Sequence, residues 1–295
     1  MKKFRKVHIE ITNVCNLNCT FCPPKTFANH TMPLELFENI NKQLAPITKE
    51  LAYHLMGDPL VLKNLVDYLD ISAKYNLLVN ITTTANNLKQ ELYEILAHKT
   101  IKQINFSINS YNANSHQKSL QEYLSPILGF CDFVLKNEKD FFINLRLWNF
   151  DEEQSAKAFN KEVLKTISLF FDISIDIEAL YREKPKNLRV ARKIFLHFDD
   201  YFDWPSLTSP FVSETGFCYG LDSHFGILSS GVVVPCCLDK DAIITLGNIN
   251  DSSIEDILNT PRAKAIMNGF KEGRVVEELC KKCSFRTRFD TQNEK

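Results

Sequence analysis

A chain of 295 residues with 44% apolar and 24% charged residues has material for one large or two smaller packed cores. Its 35 Lys+Arg against 36 Asp+Glu leave almost no net charge, which disfavours nucleic acid as the main partner, because phosphate-binding surfaces usually show a basic excess. The start MKKFRKVHIEIT has no apolar signal region, and no stretch nears the roughly 18 apolar residues of a membrane span, so neither secretion nor membrane insertion is expected and the setting expected is the reducing cytoplasm.

The first two-thirds alternates strand-like and helix-like segments. Strands are expected at 7–12 (VHIEIT, with Val7, Ile9 and Ile11 on one side), 51–56, 77–83, 104–109, 141–148 and 173–178, each short and rich in β-branched or aromatic residues. Helices are expected between them. One starts near Pro33 and repeats Leu36, Phe37, Ile40 and Leu44; a second repeats Leu62, Leu65, Val66 and Leu69; three more fall at 88–98, 115–137 and 151–170. Six strands alternating with helices imply a parallel sheet with right-handed crossovers, and periodicity alone leaves a doubly wound sheet and a barrel both open. After about residue 180 the pattern changes. A basic stretch, YREKPKNLRVARK, reads as loop or helix, and the Pro/Ser-rich DWPSLTSP places a boundary near 205, giving domains 1–205 and 206–295. Two alternating runs around Ser229-Ser230-Gly231 predict a β-hairpin at 224–237, and 252–270 predicts one or two helices capped by Ser252 or Ser253.

Nine cysteines need a reason in a reducing compartment: 15, 19, 22, 131, 218, 236, 237, 280 and 283. Cys131 stands alone and reads as a small buried hydrophobe. Cys15, Cys19 and Cys22 lie in one short segment, NVCNLNCTFCPP. Three thiolates at this spacing reach three corners of a [4Fe–4S] cube and leave one iron without a protein ligand, the open site a catalytic metal needs. A zinc site completed by His8 or His30 is the alternative. Cys218, Cys236, Cys280 and Cys283 form a second set that can fully ligate either a [4Fe–4S] cluster or zinc. Cys237 is left over, since neighbouring strand residues point to opposite faces.

CNLNCTFC resembles the CxxxCxΦC signature of the radical S-adenosylmethionine enzymes, with Phe21 at the aromatic position, and follows the first expected strand as in that family. The resemblance implies a partial (β/α)6 barrel. It also implies a [4Fe–4S] cluster whose open iron is chelated by S-adenosylmethionine, which is cleaved to a 5′-deoxyadenosyl radical that abstracts hydrogen from substrate. MGDP (56–59) stands where the family has a GGE-type turn for the cofactor's amino group, here with Gly57 and Asp58. Ser107, on the fourth strand, and Arg146, on the fifth, are carried over as further cofactor contacts. TTTANN (82–87) departs from the family's usual turn and carries no role.

The spacing Cys218…Gly231…Cys236, followed by Cys280-Lys-Lys-Cys283, resembles the SPASM extension of the same superfamily, in its shorter twitch form with one auxiliary [4Fe–4S] cluster, built as a small C-terminal subdomain of β-hairpin plus helix. An auxiliary cluster implies an electron acceptor after hydrogen abstraction, and so oxidation, or peptide or small-molecule modification. The chain begins almost at its first strand, which leaves no room for an N-terminal leader-binding domain and keeps small-molecule substrates open. A reductant such as flavodoxin or ferredoxin is the expected partner. The rival readings are an RNA-modifying enzyme of the superfamily, and a non-catalytic iron–sulfur or zinc protein in redox sensing or scaffolding. No residue stands out as general base.

Overall fold

The computed structural model describes residues 2–115, 118–150 and 157–292. Residues 116–117 and 151–156, at the starts of two expected helices, lie outside the described residues.

One ten-stranded sheet organises the chain. In chain order its strands are β1 (Lys6–Ile9), β2 (Glu50–Tyr53), β3 (Leu78–Thr83), β4 (Ile101–Ser107), β5 (Phe142–Leu147), β6 (Asn187–Ala191), β7 (Ile194–Phe198), β8 (His224–Ile227), β9 (Val232–Val234) and β10 (Gly247–Asn248). The helices are α1 (Leu34–Leu44), α2 (Leu65–Lys74), α3 (Tyr93–Leu96), α4 (Asn109–Asn112), α5 (Leu120–Lys136), α6 (Lys157–Phe171), α7 (Ile177–Glu183), α8 (Ile254–Leu258), α9 (Pro261–Lys271) and α10 (Glu278–Lys281). The spatial order is β10-β9-β8-β1-β2-β3-β4-β5-β7-β6. Strands β8, β1, β2, β3, β4, β5 and β7 run parallel, while β6 and the β9–β10 pair are antiparallel edges. The edge strands do not pair with each other, so the sheet is open, a partial barrel rather than a closed one.

Alternation along the strands separates two faces. Val7, Ile9, Leu51, Tyr53, Val79, Ile81, Ile104, Phe106, Ile143 and Leu145 belong to the hydrophobic core. Against them α1 buries Phe37, Ile40 and Leu44, at roughly 1.5–3 kcal/mol for each side chain. The intervening residues are polar. Lys6 and His8 on β1, Asn80 and Thr82 on β3, Asn105 and Ser107 on β4, and Arg146 on β5 line cavities on the other face. A side-chain ladder crosses that face: Asn144 Nδ2 donates to Asn105 Oδ1 at 2.9 Å, and Asn105 Nδ2 donates to the Ile81 carbonyl at 3.0 Å.

The sixth parallel strand is not where the sequence predicts it. ISIDIE (173–178) alternates in a strand-like way, yet Asp176 Oδ1 accepts the Ala179 amide at 2.9 Å and caps α7. The strand beside β5 is β7 instead, joined by a tight hairpin to β6, which occupies the end of the basic stretch expected to be loop or helix. The 224–237 hairpin forms as expected, with Gly231 at φ +87° in its turn. Its first strand, β8, pairs in parallel with β1, so the C-terminal extension continues the core sheet. Residues 252–270 make two helices, capped by Ser253 and Thr260. Cys131 is fully buried in α5, as expected.

Candidate functional site

The loop after β1 is closed at its neck by Asn13. The Asn13 amide donates to the His30 carbonyl at 3.0 Å, its Oδ1 accepts the His30 amide at 2.7 Å, and its Nδ2 reaches the Ala28 carbonyl at 2.9 Å. Cys15, Cys19 and Cys22 lie within this closed loop. Its other side docks on the end of α4. The Thr20 amide donates to the Ala113 carbonyl at 3.1 Å, and the Asn18 amide to Asn114 Oδ1 at 2.9 Å. Asn114 Nδ2 in turn donates to Cys19 Sγ at 3.1 Å. The Cys22 thiol donates to Cys19 as well, which draws the Cys19 thiol down to about 7 and holds Cys22 protonated. Burial raises the Cys15 thiol.

The Met56-Gly57-Asp58 turn packs under this loop. The Asp58 amide donates to the Val14 carbonyl at 2.8 Å, and Gly57 sits at φ +75°. Glu10, buried in the segment leaving β1, accepts the Met56 amide at 3.3 Å through Oε2 and the Ser229 amide and hydroxyl through Oε1 at 3.2 and 2.8 Å, which ties the turn to the C-terminal hairpin. The Asp58 carboxylate is fully engaged elsewhere. It accepts the Leu60 amide at 2.9 Å, the Thr83 hydroxyl at 2.8 Å, and the Thr84 amide and hydroxyl at 2.9 and 2.6 Å.

Two cavities meet on the polar face of the sheet. The first, about 510 Å³, is lined by Cys15, Cys19, Phe21, Cys22, Gly57, Ser107 and Arg146, with Tyr201, Phe202 and Trp204 from the segment after β7. Phe21 and Tyr201 place their rings 5.5 Å apart. The second, about 420 Å³, is lined by Cys218, Cys236, Cys237, Cys280 and Cys283, with Lys6, His8 and His224 on its sheet side. His54, Thr82, Arg146, Trp148, Phe202 and Leu238 line both.

Four C-terminal thiols converge from three places: the loop before β8, the turn after β9, and α10 with the residues beyond it. The position a Cβ on Gly220 would take lies 3.6 Å from Cys236 Cβ and 3.7 Å from Cys218 Sγ, which puts those two cysteines side by side. The Gly220 amide donates to Cys218 Sγ at 3.4 Å. Arg286, 1% exposed, braces the other arm by donating to the Thr215, Ser213 and Cys280 carbonyls. Burial pushes the Cys218 thiol up to about 11 and those of Cys236 and Cys280 far up, and mutual repulsion among the thiolates adds to each shift. Such a set ionises only around a positive metal core. Among the described residues no three His, Cys, Asp or Glu side chains are drawn in tightly enough for a single metal ion. A cluster asks for less convergence, because each thiolate takes its own iron.

The sheet side of the second cavity is cationic and imidazole-rich. The ring centroids of His8 and His224 are 5.5 Å apart, and those of His8 and His54 6.1 Å. Burial first, and the neighbouring cations after it, press His54 down to about 3, His224 to about 4 and His8 well below its ordinary value. The Arg146 guanidinium lies 4.4 Å above the Trp148 ring, with its Nε buried and without a hydrogen-bond partner.

The expected cofactor residues Phe21, Gly57, Ser107 and Arg146 therefore gather around the three-cysteine loop, while the Asp58 side chain serves the turn and the end of β3. Cys237 faces the same cavity as Cys236: β9 ends at Val234, so strand alternation does not separate the two thiols. Sequence reasoning missed Asn114, Glu10, His54 and the inward Lys6, and it offered His8 as a zinc ligand for the three-cysteine loop, whereas His8 lines the second cavity. Polar residues at every second position of otherwise apolar strands were the available signal.

Residues 9–129 match the radical SAM superfamily, and residues 218–284 match the SPASM iron–sulfur cluster-binding domain. The chain is 25% identical over 123 residues to a GTP 3′,8-cyclase of Alkaliphilus oremlandii (strain OhILAs), covering 40% of this chain and 38% of the cyclase. It is 26% identical over 275 residues to the sporulation killing factor maturation protein SkfB of Bacillus subtilis (strain 168), covering 84% of this chain and 63% of SkfB. The match thus spans less than two-thirds of either relative. Among solved structures, BtrN in complex with AdoMet and 2-DOIA superposes with a TM-score of 0.58 at 18% identity, over 96% of this chain and 94% of that one.

Proposed function

Because this chain belongs to the radical S-adenosylmethionine superfamily and carries its SPASM extension, we propose that it is an enzyme that oxidises or otherwise modifies a small molecule or peptide held between two iron–sulfur clusters. The observation that carries this reading is the shared wall: the two cysteine-lined cavities adjoin across His54, Arg146, Trp148 and Leu238.

The donor sets fit the clusters. Cys15, Cys19 and Cys22 would hold a [4Fe–4S] cluster with one iron left for S-adenosylmethionine. Cys218, Cys236, Cys280 and Cys283 would hold an auxiliary [4Fe–4S] cluster with no open position. Bound together, the first cluster and S-adenosylmethionine supply a 5′-deoxyadenosyl radical that removes a hydrogen atom from substrate. The chain's own residues do the rest. Asn114 donates to Cys19 Sγ and steadies that ligand. The Gly57 turn offers backbone carbonyls to an ammonium group. Phe21 walls the cofactor cavity, and Ser107 and Arg146 offer donors to a carboxylate on its far side. Tyr201, Phe202 and Trp204 cover the cavities and exclude water from a reactive intermediate.

A flavodoxin- or ferredoxin-like reductant fits the need for single electrons. We place the boundary between core and extension near residue 205, and the protein in the cytoplasm. Among the described residues no helix is long and apolar enough to cross a membrane.

The test is anaerobic reconstitution followed by spectroscopy of the reduced protein. Addition of S-adenosylmethionine should perturb the signal of the three-cysteine cluster, and 5′-deoxyadenosine should form slowly without substrate. A protein holding zinc, or a cluster indifferent to S-adenosylmethionine, would instead be a redox or scaffold protein.

A further inference from the structure

Asn114 lies just past the end of α4, outside the cysteine loop, and its carboxamide has only one orientation open to it. Its Oδ1 accepts the Asn18 amide at 2.9 Å. A backbone N–H can only donate, so this bond settles which end of the carboxamide is oxygen and which is nitrogen. The two hydrogens on Nδ2 then go to the Ser110 carbonyl at 2.8 Å and to Cys19 Sγ at 3.1 Å. Helix and loop together hold the donor, and it cannot turn from the sulfur without losing the other two bonds. Cys19 is the buried member of the three thiols, 6% exposed, whereas Cys15 is half-buried and Cys22 exposed. A hydrogen bond to a buried sulfur acts at low dielectric, where it is electrostatically strong. In the unloaded loop the Cys22 thiol donates to Cys19 as well. Cys22 gives up that proton when it becomes an iron ligand itself. The Asn114 N–H carries no proton that metal displaces, so it stays.

We propose that Asn114 sets the reduction potential of the three-cysteine cluster: its N–H···S bond to Cys19 favours the reduced state and brings the cluster within reach of a flavodoxin- or ferredoxin-like donor. This rests on the enzyme reading above and adds to it the redox control of that same site. The donor protein loses one electron and the cluster gains it, and no bond at Asn114 forms or breaks. The ligand sulfurs carry more negative charge after reduction. A fixed N–H therefore stabilises the reduced cluster more than the oxidised one, and hydrogen bonds to the sulfurs are among the levers that set iron–sulfur potentials. Asn114 lines neither cavity, so it acts through Cys19 and not on substrate. The rival explanation is that Asn114 only clamps the loop to α4, beside the bond from the Thr20 amide to the Ala113 carbonyl.

The experiment compares the reconstituted full chain with Asn114→Leu and Asn114→Asp, after iron content and melting temperature have been measured. Leu removes the donor without adding charge. Asp keeps an acceptor for the Asn18 amide, and so keeps that part of the clamp. The potential is read by a redox titration followed by electron paramagnetic resonance, and the three-cysteine cluster is identified by its response to added S-adenosylmethionine. The proposal expects Asn114→Leu to load iron and to be reduced roughly tenfold less at a given solution potential, a fall of about 59 mV for a one-electron couple. It also expects cleavage of S-adenosylmethionine by that variant to fall with a mild reductant and to recover with a stronger one, which a loosened loop would not do. An iron-loaded Asn114→Leu protein with the wild-type potential overturns the proposal. So does a loss of cleavage that no reductant restores, or loss of iron from both variants, since each assigns Asn114 to the clamp. Where only Asn114→Leu fails to load, Asn114→Asp decides by a readout that its charge does not mimic. In D2O the reduced wild-type cluster should show a coupled exchangeable deuteron that Asn114→Asp lacks, and identical deuteron couplings in the two proteins overturn the proposal. Wild type that takes up no iron at the three-cysteine loop would instead overturn the enzyme reading, and this proposal with it, so the two failures are distinguishable.

Discussion

The Cβ that Gly57 lacks would stand 2.3 Å from the carbonyl oxygen of Thr12, and 2.8 Å from the carbonyl carbon of Asn13. Both obstacles are backbone at the neck of the cysteine loop, so neither can swing aside as a flexible side chain would. At φ +75° the residue also occupies the left-handed region that a side chain resists. The turn and the cysteine loop are thus built as one unit, with Asp58 N–H on Val14 closing it.

Gly57→Ala should therefore separate the turn from the loop. Strain of about 1–3 kcal/mol is expected, with a lowered melting temperature and loss of most S-adenosylmethionine cleavage. Wild-type cleavage in this variant would show that the turn's backbone takes no part in holding the cofactor.

Metal content is the second prediction. The reconstituted protein should carry about eight irons, and the Cys15→Ala/Cys19→Ala/Cys22→Ala variant about four, since each cube holds four. Stoichiometric zinc persisting at the C-terminal cysteines would overturn the auxiliary-cluster assignment.

Much of this was legible in the chain. The alternation of strands and helices pointed to a parallel sheet, because parallel strands buried under helices must be apolar on that face, and its partial-barrel form came only from the family that the cysteine spacings resemble. What the sequence hid has physical causes. ISIDIE misled because period-2 alternation and an Asp N-cap occupy the same residues, and the cap, with Glu178 in the first turn, prevailed. β7 was hidden because Arg192 and Lys193 at its start look like loop, although they only pair with Asp140 at the sheet's edge. Neither the role of Asn114 nor the spent carboxylate of Asp58 could be read, since both depend on contacts between distant segments. The cationic face was present as Lys6, His8 and Arg146, but only the sheet register brings them to one cavity.

Acid should destabilise the fold through its buried imidazoles. His54, at about 3, and His224, at about 4, stay neutral in the folded state, whereas in the unfolded chain they take protons near 6.5. Their contribution is complete above about pH 6.5 and is lost as pH falls toward the folded values, because the unfolded state then binds more protons. Each such histidine adds a slope of up to about 1.4 kcal/mol per pH unit in that window. Urea unfolding at pH 7.5, 6.5 and 5.5 should show this, and His54→Gln should flatten the slope by about one proton. Equal slopes in the two proteins would mean that His54 titrates in the folded state as it does in the unfolded one.

The two cysteine groups can be tested against each other. If the auxiliary cluster accepts an electron after hydrogen abstraction, Cys280→Ala or Cys283→Ala should spare the radical-generating step and block product formation. The Cys15–Cys22 cluster has its own three ligands, on a loop held by Asn13 and Asn114, with the extension touching only its later part, where Lys240 donates to the Pro24 carbonyl at 3.0 Å and Thr26 donates to Asp241. Cleavage of S-adenosylmethionine without substrate should therefore continue at a comparable rate. With a substrate in hand, the variant should still move substrate deuterium into 5′-deoxyadenosine while releasing little oxidised product. A purely structural role forecasts something else. Cys280 is braced by Arg286 to the segment 213–215, and β8 of the same extension pairs directly with β1, just before the cysteine loop. If bound metal only staples this region, its loss should loosen β8 and lower cleavage and product together, because bound metal contributes folding free energy. Parallel loss of both steps with a lowered melting temperature would assign the cluster to structure; cleavage retained with product lost would assign it to electron transfer.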